Sequence, residues 1–301
     1  MLDILYRIAN KQIDNQLEGF EFVVAHVNHL IRKEAKEDEE YVKHFCEEKQ
    51  IKFYSKSIDI QKLANTNKIG VEEAGRLARY QFFEEVMEET GSHKIAVAHN
   101  KNDNVETILM HLIRGTGIIG LKGMETKREN LIRPLIDCER WEIEAYCEEK
   151  GLSPRIDKTN FDNIYTRNKI RNIVIPYLQR EFNPNIIDTI DRLSQLVKAE
   201  TEYMEKQVKN VYKQLVVEEK IEFGQIILDL KKFNQQEKVI KARIILYTIT
   251  RLFGDSTGIE KIHIEDIIKL CQNNIGNKYL TPNKKIKILV KNHQIYFMSQ
   301  I

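Results

Sequence analysis

His99-Asn-Lys-Asn-Asp-Asn-Val-Glu-Thr-Ile-Leu-Met-His-Leu-Ile-Arg-Gly-Thr-Gly-Ile-Ile-Gly-Leu-Lys-Gly123 is the stretch whose reading decides the fold. Just before it, Lys94 to Ala98 is a short run of small and β-branched residues after Gly91-Ser92, the pattern of a buried strand. A helix is expected next, capped by Asp103 or Asn102, with the apolar stripe Val105, Ile108, Leu109, Leu112 and Ile113, and ended by Gly115. His99, Asp103, Glu106 and Thr107 then gather where the carboxyl end of a strand meets the first turn of a helix. In open α/β sheets ligands bind at that place.

Working outward, strands and helices alternate at spacings that suit parallel βαβ units. Strands are expected over Phe20 to Val27, Ile51 to Ile58 and Lys94 to Ala98. Between them lie a charged helix from Lys33 to Gln50, with Tyr41, Val42, Phe45 and Cys46 inward, and a helix from Val71 to Thr90. Leu2, Leu5, Ile8 and Ala9 have helical spacing from the first residue, without a cap. The fold class is therefore α/β, a doubly wound parallel sheet, followed by a smaller, mostly helical α+β domain. The domains are expected at 1-182 and 183-301, with the transition around residues 180 to 200. In the second, Asn183 to about Val217 reads as helix, Phe223 to Leu230 as a strand, and Glu237 to Phe253 and Ile262 to Leu270 as helices. Lys284 to Met298 alternates like a hairpin turning at Asn292-His293.

With 301 residues, 42% of them hydrophobic, the chain can bury a full core. No run of ~18 apolar residues occurs, and charges interrupt the apolar start, which argues against a membrane span and a signal peptide. Cys46, Cys138, Cys147 and Cys271 form no Cys-x-x-Cys pair, so reduced thiols in a cytoplasmic protein are expected and no metal site. Net charge is only +2, but Arg155 to Arg180 holds six basic residues against two acids, and Cys271 to Ile301 holds five lysines and no acid. Two such zones suit a phosphate backbone, although solvated surface lysine is the commoner explanation for the second.

The pattern His99-x-x-x-Asp103-x-x-Glu106-Thr107, followed by Arg114-Gly-Thr-Gly117 and Gly120-Leu-x-Gly-Met124, resembles the tRNA(Ile)-lysidine synthetase family within the PP-loop ATP pyrophosphatases. Two further stretches carry the resemblance. Glu72 to Phe82 is similar to that family's Glu-x-x-x-Arg-x-x-Arg-Tyr-x-Phe helix, and Tyr165 to Arg171 to its Tyr-x-Arg-Asn-x-x-Arg signature, preceded by Asp157-Lys158-Thr159-Asn160. The likeness runs from about Phe20 to Gln179 and weakens afterwards. It implies an adenine nucleotide α-hydrolase-like fold and ATP-dependent ligation of lysine to C2 of the wobble cytidine, through an adenylated base. ATP and Mg2+ are the implied cofactors; L-lysine and tRNA(Ile) with a CAU anticodon are the implied partners. A homodimer is one oligomeric state to expect. The family's pattern opens with a strand and a Ser-Gly-Gly-x-Asp-Ser phosphate loop, neither of which is in this sequence. A start assigned too late or a truncated chain is the simplest expectation, a non-catalytic tRNA-binding remnant the alternative, and the 301 residues as written are expected to be inactive in ligation. A PP-loop tRNA thiolase is the nearest rival, but it would call for paired cysteines.

The same residues carry plainer readings. Asp103 and Glu106, at i and i+3, present two carboxylates to one cleft, suited to a lysine ammonium, or are a cap and a first-turn glutamate. His99 suits phosphate orientation or proton movement, or is a satisfied polar residue. His26, Asn28 and His29 end the first strand on the same rim, and the resemblance places His26 and Asn28 beside the nucleotide with Arg79, Arg114 and Gly115. Arg76 and Arg79 offer two guanidinium forks on one helical face, or pair within the helix. Arg167 and Arg171, at i and i+4 with Asn168 beside them, suit phosphates; with Arg76 and Arg133 they form the expected tRNA-binding set.

Overall fold

The computed structural model describes residues 1–12, 19–30, 34–155, 158–273 and 278–300, and divides into two compact units, Met1–Val197 and Lys198–Ile301. The sequence reading set the domains at 1-182 and 183-301 with the transition around residues 180 to 200; the two units divide at 197/198, inside the helix Ile186–Leu215. Lys33, the expected start of the second helix, and Ile156 and Asp157 of the basic stretch lie outside the described residues.

In the first unit α1 (Leu2–Ala9) is followed by β1 (Val24–Asn28), α2 (Ala35–Glu48), β2 (Phe53–Ser57), α3 (Ile60–Asn67) and α4 (Val71–Thr90). Then come β3 (Ile95–Ala96), α5 (Lys101–Ile113), β4 (Lys127–Arg128), β5 (Leu131–Ile132) and α6 (Arg140–Glu149). β1 pairs in parallel with β2, Val24 opposite Phe53. β3 pairs in parallel with β5, whose other side takes β4 antiparallel. The expected parallel α/β layer is thus present in two pieces, and α4 packs against both β1 and β3. Its Ala74 and Ala78 interlock with Ile60 and Ala64 of α3, a helix the sequence reading did not anticipate. A Cβ at Gly75 would come within 3.2 Å of the His29 ring, so the missing side chain lets that loop close on α4. The outward faces differ from expectation in two places: Tyr41 is exposed, and so are Leu112 (57%) and Ile113 (62%) at the end of α5.

α7 (Thr166–Lys169) and α8 (Ile175–Glu181) are joined by one π-helical turn, Ile170–Val174. Pro176 explains the wide turn, since it has no N–H to give a preceding carbonyl and its ring crowds the regular helix. This helical run packs on α5 through Val105, Leu109, Ile170 and Ile175, joined by Ile187 of α9 (Ile186–Leu215). That apolar seam sets the register between Asp103 and Glu106 on one helix and Arg167 and Arg171 on the other.

The second unit folds the remainder of α9 with β6 (Val216–Lys220), β7 (Gln225–Asp229), α10 (Leu230–Asn234), α11 (Lys238–Phe253), α12 (Lys261–Asn273), β8 (Lys278–Asn283), β9 (Ile286–Lys291) and β10 (Gln294–Ser299). Its five strands form one sheet in the order β6-β7-β10-β9-β8, antiparallel at every pairing. Ile226, Leu228, Ile288, Val290, Ile295 and Phe297 line the buried face against Ile244, Ile245 and Ile249 of α11 and Ile267 of α12. β9 and β10 join at Asn292-His293, both with positive φ (50° and 59°), the backbone of a two-residue hairpin turn whose twist matches the strands.

Candidate functional site

The N-terminus of α5 builds the site. Asn100, not Asn102 or Asp103, is the cap: its side chain accepts from Asp103 N–H (2.9 Å), and Asp103 Oδ2 accepts from Asn100 N–H (3.0 Å). This reciprocal box fixes Asp103 at the third helical position and leaves its Oδ1 pointing away. Glu106, one turn on, is 1% exposed. A carboxylate so buried requires partners, and the helical run 166–181 supplies them.

Arg167 Nε donates to Glu106 Oε2 (2.8 Å) and its Nη2 to Asp103 Oδ1 (3.1 Å). Arg171 Nε donates to Glu106 Oε1 (2.6 Å), its Nη2 to Asp103 Oδ1 (3.0 Å) and Glu106 Oε2 (2.9 Å), and its Nη1 to Asn160 Oδ1 (3.2 Å). Two carboxylates and two guanidiniums form one neutral network. Burial works against the Arg171 charge, but Glu106 and Asp103 outweigh it and hold its pKa above the usual value. Asp103 and Glu106 are thus engaged by Arg167 and Arg171 in this structure. Each pair is the other's counter-charge.

His99 lies just before this cap. Burial, with Arg133, Arg167 and Arg79 nearby, pulls its pKa down to about 4 against the opposing pull of Asp103, so the ring is neutral at pH 7. Arg133 Nε donates to His99 Nδ1 (3.4 Å), which puts the ring proton on Nε2 as a donor. Of the two expected roles, a neutral ring suits orientation rather than proton movement near pH 7. Arg133 is itself buried and gives Nη1 to the Glu125 carbonyl (2.6 Å), which fixes it beside His99.

Arg79 on α4 is exposed, yet partial burial of its guanidinium, with the charges of Arg167 and Arg76, pulls its pKa down while leaving it charged. It has no ion-pair partner among the described residues, unlike Arg167 and Arg171. His26 lies within its field, with its pKa lowered by burial against the pull of Glu39 and Asp38. His26, Arg79, His99, Asp103 and Arg167 thus share one region. Arg76 is exposed and sits over the Tyr80 ring, 5.7 Å from its centroid, with no ion pair to Glu72.

Four expected site residues are placed elsewhere or already engaged. Asn28 is buried, gives its amide to Glu39 Oε2 (3.0 Å) and accepts from Leu30 N–H (3.1 Å), which shapes the turn after β1. Asn168 gives its amide to the Thr159 and Asp162 carbonyls (both 2.7 Å), closing the loop before α7. Arg114 and Gly115 end α5, eleven residues or ~16 Å of helix from Asp103. Both are exposed, and Gly115 (φ +78°) serves as the helix stop.

Asn104 was not picked out from the sequence. It is 1% exposed, accepts from Met124 N–H (2.7 Å) and donates to Asp191 Oδ1 (3.2 Å). Gly123, with φ +63°, allows this: a Cβ there would lie 2.2 Å from Asn104 Oδ1. An asparagine beside the apolar stripe, matched to a glycine in the following loop, was the available signal.

Against known proteins, a sequence model of the PP-loop domain matches residues 1–178. The chain belongs to the PP-loop domain family. It is 42% identical over 291 residues to the tRNA(Ile)-lysidine synthase of Clostridium tetani, covering 96% of this chain and 60% of that protein. The Clostridium acetobutylicum protein of the same name is 43% identical over 286 residues, covering 94% and 60%. The chain thus spans about 60% of the length of these curated relatives. Among solved structures it resembles the U34-tRNA thiolase of Methanococcus maripaludis, with a TM-score of 0.51 at 18% identity over 65% of this chain and 67% of that one, a likeness of fold. No helix among the described residues is long and apolar enough to cross a membrane.

Proposed function

We propose that this protein is a tRNA(Ile)-lysidine synthase, in which a PP-loop unit activates the wobble cytidine at position 34 of a CAU-anticodon isoleucine tRNA and ligates L-lysine to it. The C2 oxygen of the base attacks the α-phosphorus of ATP; the bond to the β-phosphate oxygen breaks and pyrophosphate leaves. The lysine ε-amine then attacks C2, the C2–oxygen bond breaks, AMP departs, and the nitrogen loses a proton. The codon read changes from AUG to AUA. The observation that carries this reading is the Asp103–Glu106–Arg167–Arg171 network beside Arg79 and His99, in a chain 42% identical to a protein of that name.

The residues fit a triphosphate. Arg79 is a cation without a carboxylate partner among the described residues, and neutral His99 presents an Nε2–H donor beside it. Arg167 is the more exposed member of the network, 27% against 19% for Arg171. When phosphate draws Arg167 toward Arg79, Asp103 Oδ1 loses one of its two guanidinium donors and takes the lysine ammonium. Glu106 and Arg171 stay paired and hold the frame. Mg2+ keeps most of its waters and is usually held by one or two carboxylates together with the phosphates it serves, so a dedicated protein cage is not required for it. It would arrive as the counter-ion of ATP, and no step is assigned to it.

The test is ATP-dependent transfer of labelled lysine to total tRNA by the full-length gene product, with the acceptor read by sequencing at position 34. Incorporation into CAU-anticodon isoleucine tRNA, lost in Asp103→Asn and Arg167→Ala, is expected. No incorporation overturns the function, and wild-type rates in both variants overturn the site.

A further inference from the structure

The second unit contains a cavity of about 290 Å³ between the start of α11 and one face of α12, lined by Lys238, Lys241, Glu265, Ile268, Lys269 and Gln272. Lys238 and Lys241 lie one turn apart at the N-terminus of the sixteen-residue α11, while Glu265, Ile268, Lys269 and Gln272 follow the i, i+3, i+4, i+7 stripe of α12. Three lysines face one carboxylate, and that carboxylate's ion-pair contact is to Lys261, 3.9 Å away. Lys269 is 3.5 Å from Asp266. Lys238 and Lys241 have no ion-pair partner among the described residues.

Lys241 distinguishes this from an ordinary basic surface. It is only 7% exposed, lies beside Cys271, and lines the cavity. The neighbouring thiol is not its counter-ion, because burial pushes the Cys271 pKa up to about 12 and keeps it protonated. The stem of Lys241 is packed in the core while its ammonium opens to the cavity with no carboxylate in ion-pair range among the described residues. The positive end of α11 adds its field to the same space.

We infer that this cavity is an anion site for a phosphate group, with Lys241 as its buried anchor and Lys238, Lys269 and Gln272 completing the cradle. The phosphate is either free, as inorganic phosphate or pyrophosphate, or part of an RNA backbone. The inference rests on the second unit alone and is independent of the function proposed above.

The experiment uses the full chain. Amine-reactive acylation followed by peptide mass spectrometry reads Lys238 and Lys241 individually, with pyrophosphate, with a short RNA duplex, or with sodium chloride at matched ionic strength. Protection of both lysines by pyrophosphate or RNA, and not by chloride, is expected; which of the two protects identifies the source. Lys241→Met, which keeps the buried stem, should raise thermal stability without ligand and weaken binding of the protecting anion about tenfold, while Lys241→Arg retains it. Because Met suits the core, a folded variant is assured of a readout. Equal protection by chloride, or unchanged anion affinity in Lys241→Met, would overturn the inference.

Discussion

Replacing Glu106 by Gln isolates the role of the ion network in folding. The side chain is 2% exposed and accepts three N–H groups, from Arg167 Nε and from Arg171 Nε and Nη2. Glutamine keeps the shape, removes the charge, and turns an N–H toward guanidinium donors that have no second acceptor at that position. Breaking a buried ion pair from one side costs about 3–5 kcal/mol. Here Arg167 and Arg171 keep 27% and 19% of their surface and Asp103 remains, so about 2–4 kcal/mol is expected after that screening. In a unit of this size that lowers the melting temperature by roughly 5–10 °C. Circular dichroism melts of wild type, Glu106→Gln, Arg171→Met and the double variant close a cycle whose coupling should exceed about 1.5 kcal/mol. Asp103→Asn should cost less, since Asp103 is 18% exposed and its remaining bonds belong to the cap. A Glu106→Gln shift under ~2 °C with no coupling to Arg171 would refute the view that this network holds α5 against the 166–181 run.

Three further perturbations probe other parts of the molecule. His99 has a folded pKa depressed to about 4 from its usual 6.5, so the folded state binds fewer protons than the unfolded one between those values. Its contribution is complete above pH 6.5 and is lost as pH falls toward 4; melts across that window should show a shallower decline for His99→Gln than for wild type, and parallel curves would disprove the depression. Gly123→Ala forces a Cβ to 2.2 Å from Asn104 Oδ1 at φ +63°, and should cost at least about 2 kcal/mol in urea titration; a neutral result would mean the loop is free to move. His293→Gly relieves a positive φ of 59° in the β9–β10 turn and should stabilise the second unit by about 0.5–1 kcal/mol, visible as slower amide exchange in β10.

What the sequence disclosed, and what it withheld, follows from the range of the forces involved. α4 begins and ends where expected, at Val71 and Thr90, because its stop is a local glycine and its apolar periodicity is long. The β9–β10 hairpin was equally legible, since its turn and alternation lie within fifteen residues. β3 shrank from five residues to two, and α3 and β8 went unanticipated: short elements of this kind are stabilised by neighbours distant in sequence. At the site, spacing brought Asp103 beside Glu106 and Arg167 beside Arg171, because i, i+3 and i+4 are local relations. That the two pairs would meet each other depends on the Val105, Leu109, Ile170 and Ile175 seam, which no local pattern reveals. The same blindness made Asn168, Asn28 and Arg133 look free. Each is a polar side chain satisfied by backbone or side-chain groups supplied by a different segment.

The neutrality of the network bears directly on what a site built from it can bind. A cleft holding only carboxylates would repel a polyphosphate, and one holding only guanidiniums would repel an amino acid's ammonium. Two of each, mutually paired, store both affinities with no exposed excess charge in the absence of ligand. Under the function proposed above, such a site responds to opposite charges arriving together, because an anion that takes one guanidinium leaves a carboxylate short of a donor, and a cation repairs that deficit. Arg167 is the member able to make the exchange, being the most exposed of the four and nearest in charge to Arg79. Arg171, tied also to Asn160 and seated in the π turn above Glu106, is held in place from three sides. Under the function proposed above, the asymmetry between two arginines four residues apart divides the work: one guanidinium keeps the helices in register, and the other is released to the ligand.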